Sequence, residues 1–413
     1  MAITSVTISN FKGIKGEVTI PLKPITVILG PNSSGKSTCI HAIACLAQTV
    51  KNASNPSPMT LDGESAYVHL GRFTEVAHSR SYKESVCLGI GIDSSGTSAA
   101  KEKKNVRAVA RWEFRCKRRT QETFIQSATF TLEDVTFTLK NRGKDYVMKN
   151  EKSGATMELK KSQSLIFDLM SFMRFPKQDL DVLKEFMSAF GLQNTIREEL
   201  TAVRYLGPFR QSPLRRYRTH GSNPTEVGAT GEAAVPMLAN ETVQSRSREH
   251  IKRIAGWLNQ LGLAKQIGLS RVGSTDLFDV SLGLHDGEKI PLADLGYGCS
   301  QVLPVLAQCS YCAQNATLLF EQPELHLHHI AAKALVDVFI DTVKRCKANI
   351  VIETHSPEIF YGFLDRMRTK KFELDQFIAY KVFRQDKETK LDPIPIEPDD
   401  CDVYYAWEKG ILI

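Results

Sequence analysis

The sequence predicts an α/β fold, and three observations carry that prediction. A short apolar β-branched run, Ile25 to Leu29, leads into a Gly/Ser loop and then an apolar helix. Two further apolar runs, Thr317–Phe320 and Asn349–Ile352, each end in polar residues and flank a helical pattern from His329 to Cys346. Between these regions, from Glu84 to Val147, the pattern is mostly strand-like, which predicts an antiparallel β subdomain beside the core sheet.

The elements follow in order. Ile3 to Ser9 alternates apolar and polar residues as a strand does, Asn10–Gly13 is a turn, and Val18–Pro21 is a hairpin return. After the strand Ile25–Leu29 a helix is expected from Lys36 to about Val50, then a loop over Lys51–Gly63, rich in Ser, Asn, Pro and Gly. Strands are expected at Cys87–Ile92, Val106–Phe114, Phe124–Leu132 and Val135–Leu139, with Lys101–Lys104 as a solvated tip. Ser164 to Val203 takes helical spacing, Pro208–Gly231 reads as a loop, and Thr242–Leu263 is helical again. A hairpin around His285–Gly287 joins Val280–Leu284 to Lys289–Pro291, and a helix runs from about Ser300 to Gln314. The expected division is residues 1–80, 81–203 and 204–413: an N-terminal lobe, an insertion that is β-rich and then helical, and a C-terminal lobe. No internal repeat and no sustained heptads occur, which argues against long coiled-coil arms.

Composition narrows the class. The chain has 413 residues, 42% of them hydrophobic and 24% charged, as in a globular domain with a sizeable core. A net charge of +7 is too weak alone to argue for nucleic acid. No apolar run reaches the roughly 18 residues of a membrane span, and the N-terminus lacks the order of a signal peptide, so a cytoplasmic protein is expected. The nine cysteines show no framework, which reads as free thiols; Cys309 and Cys312 have CxxC spacing without a second pair and read as helix packing.

Four motifs carry chemistry. Gly30-Pro-Asn32-Ser33-Ser34-Gly35-Lys36-Ser37-Thr38 matches the phosphate-binding P-loop. Its glycines let backbone N–H groups wrap phosphates at a helix N-terminus, Lys36 would reach the β and γ phosphates of ATP, and Ser37 would ligate Mg2+. Thr317-Leu-Leu-Phe-Glu321-Gln322-Pro-Glu324 is an apolar strand ending in acids, the Walker B form, and Glu321 is the second expected metal ligand. Between them Asp294-Leu-Gly296-Tyr-Gly298-Cys-Ser300-Gln enters a helix, with Gly296 and Gly298 allowing close approach; it resembles the ABC signature, and that resemblance implies Ser300 at the γ-phosphate of ATP held by a partner subunit. Asn349-Ile-Val-Ile-Glu-Thr-His355 ends a strand in a histidine, which resembles the switch histidine of ABC-type ATPases; that resemblance implies a sensor of the γ-phosphate.

Taken together, the four motifs resemble those of the ABC/SMC/RecF superfamily of ATPase heads, and Asn10-Phe11-Lys12-Gly13 adds to the resemblance by placing Lys12 near the nucleotide. Within it, Glu-Gln-Pro-Glu-Leu-His-Leu-His, Glu-Thr-His-Ser and Tyr205-Leu-Gly-Pro-Phe-Arg210 resemble the AAA-type ATPases of the OLD group. The resemblance covers most of Met1–His78 and Arg204–Phe363. It implies a P-loop NTPase fold of the ABC-type head, a head-to-tail homodimer or higher homo-oligomer that closes on ATP, and a separate effector protein. It further implies a role in antiphage defence beside an effector nuclease, as for the stand-alone ATPases of the PARIS and Septu systems.

Two departures from the family pattern bear on mechanism. Gln322 stands where ABC enzymes carry the glutamate that polarises water; glutamine can orient water but cannot take its proton, so Glu324 is the replacement base or hydrolysis is slow. Only about sixty residues follow His355, too few for the TOPRIM nuclease domain of OLD proteins, and the late acids Glu397, Asp399, Asp400 and Asp402 read as a solvated turn. The remaining clusters have bland readings. Extended backbone at His326-Leu-His328 would put both rings on one side, where interface contacts are favoured over a metal. The arginines Arg210, Arg215, Arg216 and Arg218 around Tyr217 could touch DNA, or could be a solvated loop or a contact for an acidic partner. Arg115, Lys117, Arg118 and Arg119 alternate on a strand and split between faces. The leading expectation is an ATPase switch with catalytic residues Glu321, Gln322, Glu324 and His355. The alternatives are a RecF-like DNA-binding repair ATPase and a scaffold that binds ATP without turnover.

Overall fold

The computed structural model describes residues 2–52, 57–95, 105–143, 145–160, 180–219 and 224–396. The chain forms two compact units. The first comprises Met1–Leu22, Ser33–Val203 and Phe383–Lys390; the second comprises Lys23–Asn32, Arg204–Val382 and Leu391–Ile413.

The first unit is built on an eight-stranded antiparallel sheet. Its strands are β1 (Ala2–Ser9), β2 (Val18–Pro21), β4 (Val86–Ser95), β5 (Asn105–Cys116), β6 (Thr123–Leu132), β7 (Val135–Asn141), β8 (Asp145–Asn150) and β9 (Thr156–Lys160), in the order β2-β1-β4-β5-β6-β7-β8-β9. Alternation along β6 buries Ile125, Ala128 and Phe130 and leaves their neighbours half-exposed, the mark of a sheet with one covered face. Two helices, α1 (Ser37–Lys51) and α3 (Leu180–Thr201), pack on it, and the one-turn helix α2 (Phe73–Val76) lies between them in sequence. Trp112 is fully buried and meets Phe130 edge-on at 6.1 Å; Phe137 meets Phe186 of α3 at 5.7 Å.

The second unit is α/β. Its main sheet contains β3 (Ile25–Leu29), β10 (Val203–Leu206), β15 (Thr317–Glu321), β16 (Asn349–Thr354), β17 (Phe377–Gln385) and β18 (Glu388–Pro393), ordered β10-β15-β16-β3-β17-β18. The four central strands run parallel. β3, β15 and β16 are buried at every residue, which is why they read as unbroken apolar runs rather than alternating ones. Helices α4 (Ala234–Gln244), α5 (Glu249–Gln260), α6 (Tyr297–Ser310), α7 (His329–Cys346) and α8 (Pro357–Arg368) share one core with this sheet, where Phe320 meets Phe339 at 5.5 Å. A smaller antiparallel sheet joins β11 (Tyr217–Arg218), β12 (Gln266–Arg271), β13 (Leu277–Gly283) and β14 (Lys289–Pro291). The tip of the β17–β18 hairpin turns through Asp386 and Lys387, both left-handed, and belongs to the first unit.

Several expectations are corrected. The helical stretch Thr242–Leu263 is two helices broken at Ser245–Arg248, with Arg248 left-handed at φ 49°. The strands β8, β9 and β12 had no counterpart in the sequence reading, and the loop Pro208–Gly231 holds the short strand β11. The helix expected from Ser300 begins at Tyr297 and ends at Ser310. Lys101–Lys104, the start of the helical stretch at Ser164, and the acids Glu397, Asp399, Asp400 and Asp402 lie outside the described residues.

Candidate functional site

The P-loop leaves β3 in the second unit at Gly30–Asn32 and continues in the first unit from Ser33. Ser33 and Gly35 are left-handed, at φ 63° and 99°. That backbone turns successive N–H groups into a concave nest, the geometry that takes an anion. Asn32 and Ser33 are exposed, whereas Ser34, Lys36 and Thr38 are buried. The Ser34 hydroxyl has no hydrogen-bond partner among the described residues. Ser37 opens α1, and no acid stands in the first turn of that helix, so its positive end is unopposed. Nest, buried lysine and open helix end together fit a polyphosphate.

Lys12 is fixed by the turn before it. The Asn10 amide donates to Ser85 O at 3.0 Å and accepts from the Ser79 N–H at 3.0 Å. Lys12 itself is left-handed, donates its N–H to Val76 O, and its carbonyl meets His78 Nδ1 at 2.9 Å. Its ammonium bonds the His41 ring on α1. The structure therefore brings Lys12 to the helix that the P-loop feeds.

In the second unit the parallel register aligns the carboxyl ends of three strands: Glu321 lies opposite Glu353, and Thr354 opposite Leu29 at the mouth of the P-loop. Glu321 is buried and accepts the Tyr205 hydroxyl at 2.8 Å. Burial and the Glu321 charge raise the Tyr205 pKa, so the phenol stays a donor. One Arg210 nitrogen, Nη2, donates to the carbonyls of Glu321 at 3.0 Å and Gln322 at 2.8 Å. Burial lowers the Arg210 pKa to about 10, with the charge of Glu324 opposing. Gln322 is left-handed at φ 46° and donates its N–H to Glu353 O at 2.8 Å.

Glu324 is the perturbed acid of this cluster. Burial raises its pKa; the Thr354 hydroxyl bond and the Arg210 charge act against that, and Glu358 adds to it. Its Oε2 has no hydrogen-bond partner. A carboxyl lifted towards neutrality is a better proton acceptor than an ordinary one. His355 follows β16 and is exposed.

The glycine-rich signature enters α6 with Gly296 as its N-cap. Ser300 lies one turn inside, buried, and its hydroxyl donates to Tyr297 O at 3.0 Å. The free N–H groups of this helix end thus belong to residues earlier than Ser300. A Cβ at Gly298 would stand 2.9 Å from His326 O, so glycine is needed there for close approach, not for a turn. His326 is left-handed at φ 67°, so the extended alternation expected for His326 and His328 is not formed; His328 instead caps α7. Cys309 is buried and its thiol is pushed up to about 12 by burial, as a packing cysteine requires.

One placement in the arginine loop is corrected. Arg210 is inside, on the Walker B turn, and no part of a surface patch. Arg215 makes a two-pronged pair with Asp294, Arg216 pairs with Asp279 at 3.5 Å and Arg218 with Asp276 at 3.0 Å. The sequence pattern marks Tyr205 only as part of a family signature and Arg210 as that and as a loop arginine, and neither reading contains what they hold. Among the described residues no group of three or more His, Cys, Asp or Glu is placed to hold a metal. The serine hydroxyl and carboxylate expected as Mg2+ ligands, Ser37 and Glu321, are hard oxygen donors suited to that ion.

Among the described residues no helix is long and apolar enough to cross a membrane. No curated protein matches the sequence. Solved structures do. The SMC head bound to the C-terminal winged-helix domain of ScpA superposes with a TM-score of 0.51 at 11% identity, over 96% of this chain and 98% of that one. The SMC head of Thermotoga maritima gives 0.44 at 10% identity, over 96% and 100%. The SMC head of Pyrococcus furiosus bound to the C-terminal domain of ScpA gives 0.48 at 11% identity, over 95% and 96%. The first of these supports the ABC/SMC-type ATPase fold that the motifs imply. Residues 25–360 match the family described as "AAA domain, putative AbiEii toxin, Type IV TA system". The chain belongs to this AAA domain family.

Proposed function

We propose that the chain is a nucleotide-driven switch. It binds ATP at the P-loop, pairs head to tail with a second copy, and controls a separate effector, a nuclease, in defence against phage. The observation that carries the nucleotide part is the left-handed nest at Ser33 and Gly35, running into a helix whose first turn holds no acid. The defence role rests on the resemblance of the Glu321–His328 and Glu353–Ser356 segments to OLD-type ATPases.

Lys36 neutralises the phosphates, and Ser37 and Glu321 are the proposed Mg2+ ligands. Bound there, Mg2+ would screen charge on the transferred phosphoryl group. Glu324 takes the proton of the attacking water, and Gln322 orients that water without titrating. The raised pKa of Glu324 supports this division of labour. His355 is exposed at its strand end, free to meet a phosphate that the closed dimer brings. The family description supports a second reading, in which the chain itself is the growth-arresting member of a toxin–antitoxin pair. Arrest on expressing the chain alone, absent in Lys36→Ala, would favour that reading over an effector-dependent switch.

ATP turnover by the purified protein, beside Lys36→Ala, Gln322→Glu and Glu324→Gln, tests the catalytic assignment. We expect Lys36→Ala and Glu324→Gln to lose turnover by about a hundredfold or more, the usual scale for a general base. Wild-type turnover retained in Glu324→Gln would remove Glu324 as base. Tight ATP binding without turnover, rescued by Gln322→Glu, would make the protein a nucleotide-locked scaffold.

A further inference from the structure

We infer that Thr389 is a positioning residue for the P-loop, through which the β17–β18 hairpin sets the affinity for nucleotide. The inference deepens the nucleotide-binding reading and rests on it.

Thr389 lies 355 residues from Ser34 in sequence, and no motif marks it. It is buried, and two of its polar contacts run to the two loops on either side. Its N–H donates to Gly13 O at 2.7 Å, and the Gly13 turn is the one that presents Lys12. Its hydroxyl donates to Ser34 O at 3.0 Å, inside the P-loop. Both loops carry glycine where they meet it: a Cβ on Gly13 or on Gly35 would overlap the Thr389 hydroxyl. Thr389 is therefore a wedge between the Lys12 turn and the phosphate nest, seated in a slot that only glycines leave open.

The bond to Ser34 O has a specific consequence. The Ser34 carbonyl belongs to the peptide whose other end is the Gly35 N–H. Anchoring that oxygen on Thr389 turns the N–H to the opposite side, and Gly35 at φ 99° follows from the same peptide orientation. Without the anchor, the loop is free to rotate this peptide and point a carbonyl at the incoming phosphate. The hairpin is held in turn by Lys15, whose ammonium pairs with Glu388 at 3.4 Å. Ordering a nest before its anion arrives improves affinity by removing the cost of ordering it later. Coupling of this kind is reciprocal: if the hairpin sets the loop, nucleotide must also steady the hairpin.

Thr389→Val keeps the shape and removes the hydroxyl; Thr389→Ser keeps the hydroxyl and removes a methyl. Binding of Mg-ATP would be measured by calorimetry at a temperature where all variants are folded, with Lys36→Ala as the non-binding control. Hydrogen exchange of the Thr389 amide would be followed with and without nucleotide. We expect Thr389→Val to weaken ATP binding by about three- to tenfold, the scale of one hydrogen bond, and Thr389→Ser to restore it. We also expect nucleotide to slow exchange at residue 389 in wild type and in Thr389→Ser but not in Thr389→Val. Unchanged ATP affinity in Thr389→Val, whatever its thermal stability, would overturn the inference and leave Thr389 as packing alone. Failure of the wild type to bind ATP is a different outcome: it would overturn the nucleotide reading, and the inference with it.

Discussion

Gln322 holds a backbone conformation that costs a residue with a Cβ about 1 kcal/mol or more, and two neighbours keep it there. Its N–H is bonded to Glu353 O and its carbonyl to Arg210. Tyr205 and Arg210 together fix one carboxylate and two carbonyls of a single turn. Tyr205→Phe removes the bond to Glu321 and is expected to lower stability by about 1–3 kcal/mol, read from denaturant unfolding. Glu324 makes a prediction with a sign. Its folded pKa lies above the ordinary value of 4.5, so between the two the native state holds a proton that the unfolded chain has released. Its contribution is fully present below that window and is lost as pH rises through it. Glu324→Gln does not ionise and keeps an acceptor for Thr354. Its melting temperature is expected to exceed that of the wild type at neutral pH, with the gap closing towards about pH 4; a gap that stays constant with pH would contradict the assignment. At this scale the candidate phosphate loop and the turn at Asn10–Gly13 were legible in the sequence, because loop and spacing are local. Thr389 and the packing role of Arg210 were illegible, since their partners lie 355 and 111 residues away.

Elements were legible in proportion to how far local pattern governs them. The helix His329–Cys346 matches at both ends, because its apolar face and its start after a strand end are local signals. β12 is an edge strand of mostly exposed residues, Gln266–Arg271, and offers no buried run to detect. The start of α6 was read late because Gly296 and Gly298 suggest a loop, yet Gly298 lies inside the helix and is small for a tertiary reason, the His326 carbonyl. Gly298→Val is therefore expected to destabilise by about 1–3 kcal/mol in thermal unfolding, the cost of overpacking, with near-UV signal changing at Tyr297, whose ring lies 5.7 Å from His326. In the first unit, Trp112→Ala empties the centre of the antiparallel sheet and is expected to cost about 3–5 kcal/mol.

The whole molecule is two units, and neither is a continuous segment. The second unit takes its central strand β3 from near the N-terminus, between β16 and β17. A fragment beginning at Arg204 thus lacks the strand on which both neighbours pair and is expected to be insoluble alone. Supplying residues 1–203 in the same cell should recover soluble protein; a soluble, cooperatively melting fragment would contradict the topology. The sequence suggested the α/β class from its strand–loop–helix openings but could not show this interleaving, because pairing between distant strands leaves no local trace.

That interleaving also sets a timetable for synthesis. Ile25–Leu29, five buried residues of which all but Thr26 are apolar, leaves the ribosome early, but its partner Ile350–Thr354 follows some three hundred residues later. At roughly 5–20 residues per second the nascent strand waits on the order of tens of seconds with both edges open. A bare, mostly apolar strand is the kind of template that other chains join. The translation rate of the middle of the message, and the supply of holdase chaperones, should therefore govern the yield of active protein as much as the stability of the finished fold.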